Sequence, residues 1–214
     1  MEQYYPLIFE TGSVSDIKYH RGKNCLLYAI NSVSCKPYGV CKDLHEKYPH
    51  EDSVTSRTSL TFVSRARRCD RDIPGDIILQ RSPHESSPHL IAMITQFGYG
   101  QPYVGSVEDI RRLASSMDYH YVEGIKQDTE NKRVKNFQEC IKKIIIFALG
   151  CDGLESIIIP AGVGTRGNCG QLWNSQYLPI LQNMASRLQA SNIKVIITSP
   201  TVTEPKPDKE GEEK

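Results

Sequence analysis

Four glycines in residues 162–170 have the spacing of a loop that binds phosphate through its backbone. The segment reads GVGTRGNCG and shortly follows the apolar run at residues 157–159. Glycine adopts positive φ and lets a ligand approach the main chain, so successive N–H groups can converge on phosphate oxygens. The alternative interpretation is a plain loop of tight turns, which also uses glycine. The residues that the phosphate interpretation assigns to the ligand are Gly162, Val163, Gly164, Thr165, Arg166 and Gly167.

Residues 162–167 also match the GxGxxG pattern of dinucleotide-binding folds. That pattern belongs at the first strand of a βαβ unit, with an acidic residue about 20 positions later at the end of the next strand. Only one further strand is predicted after this loop, and it ends near Thr198. A kinase-like P-loop is disfavoured as well, because no Gly-Lys-Ser/Thr sequence follows. The sequence therefore predicts no nicotinamide, flavin or other cofactor.

The elements around this loop alternate between helix and strand. Apolar residues at helical spacing predict a helix over residues 131–149, and a β-branched run predicts a buried strand over residues 156–159. A second helix is predicted from Trp173 through Leu188, followed by a strand over residues 193–198. Such alternation is typical of a layered α/β domain with parallel strands, whose ligands bind at the carboxyl ends of the strands.

The first half of the chain has three further strand candidates, at residues 25–30, 76–79 and 89–95. Polar, basic, glycine and proline residues dominate two stretches near 51–74 and 97–123, which we interpret as insertions. Residues 199–214 are charged and lack an apolar period, so they predict a disordered tail. The expected organisation is thus one domain over residues 1–198 followed by that tail.

The overall composition argues against several partner classes. The chain has 214 residues, with 26 Lys and Arg against 25 Asp and Glu, so its net charge of +1 gives no strong field for nucleic acid or an anionic membrane. The longest apolar run, residues 144–149, is too short to cross a bilayer. Seven cysteines without a CxxC pair fit reduced thiols. We therefore expect a soluble protein in the cytoplasm or nucleus, without membrane or nucleic-acid partners.

Several segments, taken in chain order, resemble the macrodomain family, which binds ADP-ribose. Residues 15–17 read Ser-Asp-Ile, similar to the family's turn before its first buried strand, and residues 28–31 end in Asn31 as the next family strand does. Gly39-Val40 follows at the family's spacing, residues 89–96 resemble its middle strand, and residues 159–170 resemble its second phosphate loop before a Trp. The resemblance is to the branch of ADP-ribose-1''-phosphate phosphatases and stand-alone ADP-ribosyl hydrolases.

This resemblance implies a three-layer α/β/α fold with a mixed, mostly parallel central sheet. It also implies that Asp16, beside Ile17, accepts a hydrogen bond from the adenine amino group. Asn31 would contact the hydroxyls of the distal ribose and is the candidate catalytic residue through that orienting role. The amides around Gly39 and Val40 would contact the diphosphate or the distal ribose, opposite the loop at residues 162–167. The alternative for Asp16 and Asn31 is an ordinary turn residue at the end of a strand.

The departures from the family pattern bear on catalysis. The first loop has Pro37-Tyr38 before Gly39, where many active members have further glycines, and proline stiffens the loop. Thr95-Gln96 offers no Lys, and residues 165–170 contain no acidic residue, which argues against a Lys-Asp hydrolase. The sequence thus predicts a protein that binds ADP-ribose or ADP-ribosylated targets, with hydrolysis of the distal ribose linkage as one outcome and a non-catalytic reader or scaffold as the alternative.

Cysteine and histidine residues could also form a metal site or supply a nucleophile, but the sequence favours neither. Cys35, Cys41 and His45 form a C-x5-C-x3-H pattern that lacks a fourth ligand, so no metal site is predicted. Cys169 lies inside the second glycine-rich loop, where backbone amides and Arg166 would favour a thiolate, but a role as a nucleophile is disfavoured.

Overall fold

The computed structural model describes residues 7–32, 40–48, 72–81, 86–97, 128–163 and 173–199. The strands are β1 (Ile8–Thr11), β2 (Asn24–Asn31), β3 (Ile77–Gln80), β4 (His89–Gln96), β5 (Ser156–Pro160) and β6 (Lys194–Ser199). The helices are α1 (Val40–Lys47), α2 (Glu130–Leu149) and α3 (Leu178–Leu188), with a π-helical turn (Trp173–Tyr177) leading into α3 and a 3-10 turn (Ile17–Tyr19) after β1. The predicted series of helix, strand, helix and strand in the C-terminal half is confirmed.

Helix α2 illustrates how local sequence specifies these elements. The Thr129 side chain caps its first turn by accepting from the Lys132 amide at 3.0 Å, and Gly150 follows its last residue. Its buried side chains recur at helical spacing along one face. They include Val134, Phe137, Cys140, Ile141, Ile144, Ile145 and Ala148. The face they form packs on β4 and α3.

The described strands form one mixed sheet in the order β1-β6-β5-β2-β4-β3. The pairs β1–β6, β6–β5, β5–β2 and β2–β4 are parallel, and β3 pairs antiparallel with β4 at the edge of the sheet. Because β2, β5 and β6 lie in the middle of the sheet, their sequences are nearly continuous apolar runs. The predicted α/β class, with a mixed and mostly parallel sheet, is confirmed.

Two hydrophobic clusters cover opposite faces of this sheet. Alternate strand residues such as Leu27, Ile157 and Ile197 pack with α2 and α3, whereas their neighbours Leu26, Ile158 and Ile196 pack with α1 and the 3-10 turn. Successive side chains of a strand point to opposite faces, so the helices lie on both sides. The result is three layers, α/β/α.

The short edge strand β1 was absent from the sequence predictions, and β6 extends to Ser199, one residue beyond its predicted end. Most of the two predicted insertions, and the tail from residue 200, lie outside the described residues. Within the described part of the chain, no helix has the length and apolarity needed to cross a bilayer.

Candidate functional site

Three loops that the sequence assigned to a ligand leave the same edge of the sheet. Because β1, β6, β5 and β2 are parallel neighbours, their carboxyl ends line up in that order. Asp16 follows β1, Gly162 follows β5, and Asn31 ends β2. Neighbouring strands lie about 4.8 Å apart, so the ends of β1 and β2 are separated by about 14 Å. We call this edge, with its loops, the carboxyl edge.

Asp16 is held in a tight turn that begins at Gly12. One carboxylate oxygen of Asp16, Oδ2, accepts a hydrogen bond from the Ser13 amide at 2.9 Å. Gly12 has φ of 143°, and a Cβ atom there would lie 2.4 Å from that oxygen. The Gly12 amide in turn donates to the Ser199 carbonyl at 2.8 Å. The turn therefore requires glycine at position 12 and fixes the carboxylate of Asp16 beside the end of β6. Sequence reasoning did not identify Gly12.

Ile17, beside Asp16, is 80% exposed. The two residues that follow it, Lys18 and Tyr19, form a small polar cluster with Glu10. Glu10 on β1 accepts hydrogen bonds from Lys18 Nζ at 2.8 Å and from the Tyr19 hydroxyl at 2.5 Å. The hydrogen bonds from Lys18 and Tyr19 lower the pKa of Glu10, and burial together with the Glu10 contact raises that of Tyr19. This cluster holds the 3-10 turn against β1.

Asn31 lies at an irregularity in the sheet. The register of β2 with β4 shifts between Ile30 and Asn31, so that Asn31 is opposite Gln96. Such a bulge re-aims the side chains that follow it. Asn31 is only 5% exposed, and the next residue, Ser32, donates from its amide to Gln96 O at 3.1 Å and from its hydroxyl to Phe97 O at 2.8 Å. The end of β2 is thus fixed to the end of β4.

A buried ion pair supports this end of the sheet from the side of α2. Arg133 Nη2 lies 2.6 Å from Asp128 Oδ2, with side chains 4% and 5% exposed, and Asp128 Oδ1 accepts from the Phe97 amide at 3.1 Å. Phe97 therefore connects Asp128 to Ser32. On the other side, the Asp72 amide donates to Ser32 O at 3.2 Å, which brings a further acidic residue to the end of β2. Neither carboxylate was singled out from the sequence, because both contacts join residues far apart in the chain.

The second glycine-rich loop begins with a closed turn. Gly162 has φ of 72°, in the region that favours glycine, and the Val163 amide donates to Pro160 O at 3.1 Å. The Val163 side chain is buried in the cluster under α2 and α3. In this arrangement the Val163 amide closes the turn. The residues that follow, Gly164, Thr165, Arg166 and Gly167, lie outside the described residues, so their assignment to a phosphate stays a prediction.

The chain is anchored again after this loop by aromatic packing. Trp173 is buried and stacks on Tyr177 at a centroid distance of 6.3 Å, and Tyr177 makes an edge contact with Phe137 of α2 at 4.3 Å. The tryptophan that the resemblance expected after the loop therefore serves as a packing residue that fixes the start of α3.

The first loop is described only at its end. Val40 is half-buried and begins α1, where it packs against the cluster on that face. Pro37, Tyr38 and Gly39 lie outside the described residues, as do Cys35 and Cys169. Among the residues that the structure describes, no three His, Cys, Asp or Glu side chains are grouped to hold a metal ion. The Cys35 and His45 side chains are not part of that set.

Comparison with known proteins identifies the fold. No protein-family model and no curated protein matches the chain. Among solved structures, the chain is similar to a protein of unknown function from Bacteroides thetaiotaomicron, with a TM-score of 0.56 and 14% identity over 91% of this chain and 98% of that one. A Trypanosoma brucei macrodomain matches with a TM-score of 0.52 and 12% identity over 91% of this chain.

A second Trypanosoma brucei structure, a macrodomain in complex with ADP-ribose, matches with a TM-score of 0.50 and 13% identity over 90% of this chain. The aligned regions span 61% and 63% of the two trypanosome chains, so this chain corresponds to part of each. These likenesses establish that the chain has the α/β fold of these macrodomains, as the sequence resemblance implied.

Proposed function

We propose that this chain binds ADP-ribose, free or attached to a protein, along the carboxyl edge of its sheet. The observation that carries the proposal is the order of the strand ends. Asp16 follows β1, Gly162 follows β5 and Asn31 ends β2, which is the order β1-β6-β5-β2 across the edge. In ADP-ribose the adenine, diphosphate and distal ribose follow one another in the same order. The macrodomain that shares this fold was solved in complex with ADP-ribose.

At the β1 end, Asp16 would bind the adenine. Its Oδ2 already accepts from the Ser13 amide, which fixes the side chain and leaves the other oxygen to accept from the adenine amino group. A pre-fixed acceptor loses little conformational entropy on binding. Ile17 would contribute its exposed apolar side chain beside the base. The carboxylate would thereby select adenine over bases with an acceptor at that position.

In the middle, the turn at Gly162, closed by the Val163 amide, would deliver the loop at residues 164–167 to the diphosphate. The formal net charge of the chain is +1, so the anion must be bound by local amide dipoles and by Arg166 rather than by a broad positive field. Gly39 and Val40 would approach the diphosphate from the opposite side, at the start of α1.

At the β2 end, Asn31 would orient the distal ribose. The bulge and the Ser32–Phe97–Asp128 contacts hold the end of this strand, and orientation of this kind contributes to catalysis when water attacks a bound linkage. We therefore propose hydrolysis of the distal ribose linkage as the activity, either as an ADP-ribosyl hydrolase or as an ADP-ribose-1''-phosphate phosphatase. The competing proposal is a reader that binds without turnover, which the stiff Pro37-Tyr38 pair of the first loop favours.

Isothermal titration calorimetry tests binding. Wild-type protein is titrated with ADP-ribose and, separately, with AMP and ribose 5-phosphate. The proposal predicts saturable heat with ADP-ribose, weaker binding of AMP, and at least tenfold weaker binding of ADP-ribose by Asn31→Ala. Asp152→Ala is a control, because Asp152 is exposed at the opposite edge of the sheet. No heat and no thermal shift with ADP-ribose at millimolar concentration would exclude the proposed function.

A turnover assay then separates the two proposals. The protein is incubated with ADP-ribosylated protein and with ADP-ribose-1''-phosphate, and released ADP-ribose is measured against Asn31→Ala. Release above that control supports an enzyme and identifies the bond. Binding without release supports the reader.

A further inference from the structure

Two cysteines and a histidine lie together at the opposite edge of the sheet, where the parallel strands begin. Cys25 in β2 is the register partner of His89 in β4, and such partners lie about 4.8 Å apart with their side chains on one face. Cys151 follows α2, and its Sγ lies 3.6 Å from His89 Nε2. Cys25 belongs to the cluster under α2, and Cys151 packs against the same cluster. We call this group the amino-edge thiol cluster.

The two thiols of this cluster differ in access. Cys25 is fully buried, whereas Cys151 is half-buried, and both are free. Burial raises the pKa of both thiols, and for Cys25 the neighbouring charge of Cys151 raises the pKa further. Both thiols lie beside the same imidazole, because Cys25 is the register partner of His89 and Cys151 Sγ is 3.6 Å from His89 Nε2. A reagent from solution therefore reaches Cys151 first, with Cys25 behind it.

A proton acceptor and a cation lie near the Cys151 thiol, although burial keeps the pKa of that thiol above its ordinary value. Burial, and secondly the charge of Arg81, lowers the pKa of His89, so the imidazole is neutral at pH 7 and Nε2 can accept the thiol proton. Arg81 also lowers the pKa of Cys151, against the larger effect of burial. The Arg81 guanidinium lies 6.0 Å from the centroid of the Phe147 ring, which His89 contacts edge-on. The thiolate thus has a proton acceptor and a cation beside it.

We propose that Cys151 is a site of oxidation by peroxides and that Cys25 resolves the product into a Cys25–Cys151 disulfide. The Cys151 proton passes to His89 Nε2, and the sulfur attacks one peroxide oxygen. The O–O bond breaks, an S–O bond forms, and the leaving hydroxide takes the proton as water. The Cys25 sulfur then attacks the Cys151 sulfenic acid, the S–O bond breaks, and a second water leaves. Two thiols lose two electrons and the peroxide gains two.

The test treats the full-length chain with one to ten equivalents of hydrogen peroxide, blocks free thiols with an alkylating reagent, and maps disulfides by non-reducing tryptic mass spectrometry. Cys151 lies alone on the peptide of residues 144–166, and Cys25 lies on that of residues 24–42 with Cys35 and Cys41. The proposal predicts a linked pair of these peptides, with fragmentation placing the bond at Cys25. A Cys35→Ser variant should still form it, and Cys25→Ala should not.

The order of events is tested in Cys25→Ala, where a dimedone-type reagent should label Cys151 as a sulfenic acid. Cys140 is an internal control, because burial raises its pKa to about 12 and its Sγ donates to Asp76 O at 3.2 Å. It should stay unlabelled. In the same Cys25→Ala background, His89→Gln should slow labelling of Cys151 about tenfold. With His89 in place, the labelling rate should rise close to tenfold per pH unit between pH 7 and 8, as the thiolate fraction does.

The proposal is overturned if Cys25 and Cys151 remain reduced while other cysteines are oxidised, or if Cys151 forms a sulfenic acid that Cys25 never resolves. It is independent of ADP-ribose binding. The cluster lies at the edge opposite Asp16 and Asn31, so the oxidised chain should bind ADP-ribose within about twofold of the reduced chain.

Discussion

The two edges of the sheet are built from different kinds of contact. At the amino edge, where the parallel strands begin, backbone hydrogen bonds join the starts of β2, β5 and β6. The Glu155 amide donates to Lys23 O at 2.7 Å, and the Lys194 amide donates to Glu155 O at 2.9 Å. The exposed side chains of Lys23 and Glu155 also form an ion pair. At the carboxyl edge the chain turns away through glycines with positive φ, at Gly12 and Gly162, and a buried ion pair holds the surrounding strands.

This difference shows where the molecule depends on specific residues. An exposed ion pair between long side chains contributes little, whereas a buried pair cannot lose one partner without leaving an uncompensated charge. The carboxyl edge, where we propose that ADP-ribose binds, uses the more demanding contacts. Four predictions test this contrast, in decreasing order of expected effect.

The largest effect is expected from the ion pairs. Asp128→Ala removes the partner of buried Arg133 and the acceptor of the Phe97 amide, so it should destabilise the fold by about 3 to 5 kcal/mol. Glu155→Ala, the matched change at the amino edge, should leave the free energy of unfolding nearly unchanged, because both partners are exposed. Urea unfolding measures both. If the two variants lost similar free energies of unfolding, the proposed difference between the two edges would be wrong.

The glycines give the next effect. Gly12→Ala meets both an unfavourable φ of 143° and the Asp16 carboxylate, so it should cost about 1 to 3 kcal/mol and weaken ADP-ribose binding. Gly153, which has φ of 74° and open space around its missing Cβ, is the control at the amino edge. Gly153→Ala should lower the free energy of unfolding by about 1 kcal/mol, because alanine is strained at positive φ, and should leave ADP-ribose binding unchanged. Equal effects on binding would show that the turn at Gly12 has no link to the ligand.

A smaller and more specific effect is expected at Asp16. In Asp16→Asn the amide oxygen can still accept from the Ser13 amide, so stability should be retained, while the amide NH2 faces the adenine amino group. ADP-ribose should bind about tenfold more weakly, a change of about 1.4 kcal/mol. The deaminated analogue, whose base presents an oxygen at that position, should bind the variant better than the wild type. Calorimetry with both ligands measures this reversal of ligand preference. If the variant and the wild type prefer the same ligand, Asp16 does not bind the adenine amino group.

The smallest effect concerns pH at the amino edge. The pKa of His89 in the folded protein is below its ordinary value of 6.5, because burial disfavours the charged form. The unfolded chain therefore binds the proton more readily, and this contribution to stability, present above pH 6.5, is lost as the pH falls through the folded pKa. Unfolding measured at pH 7.5 and 5.5 should show a smaller difference in His89→Gln than in the wild type. Binding of ADP-ribose should not follow this titration.

The sequence predicted the elements whose signals are local and missed those that depend on distant partners. The helical spacing of apolar residues in α2 and the β-branched run in β5 predict these elements from neighbouring residues alone. Strand β1 does not, because its four residues are mostly exposed at the sheet edge and acquire their pairing only from β6, near the other end of the chain.

The site shows the same division. The spacing of Asn31 and the glycines after β5 could be recognised along the chain, but the need for Gly12 arises only when Asp16 folds back onto it. The Asp128–Arg133 pair is close in sequence, yet its link to Ser32 through Phe97 requires the neighbouring β2 and β4. A pattern along one chain cannot reveal such contacts, because they are created by the order of strands in the sheet.

The central claim is that the order of strand ends along the carboxyl edge matches the order of groups in ADP-ribose. A crystal structure of the wild-type protein with ADP-ribose tests this most directly. The adenine should lie at Asp16 beside the end of β1, the diphosphate over the loop that follows Gly162, and the distal ribose at Asn31. A ligand bound in the reverse direction, or bound away from the ends of β1, β5 and β2, would contradict it.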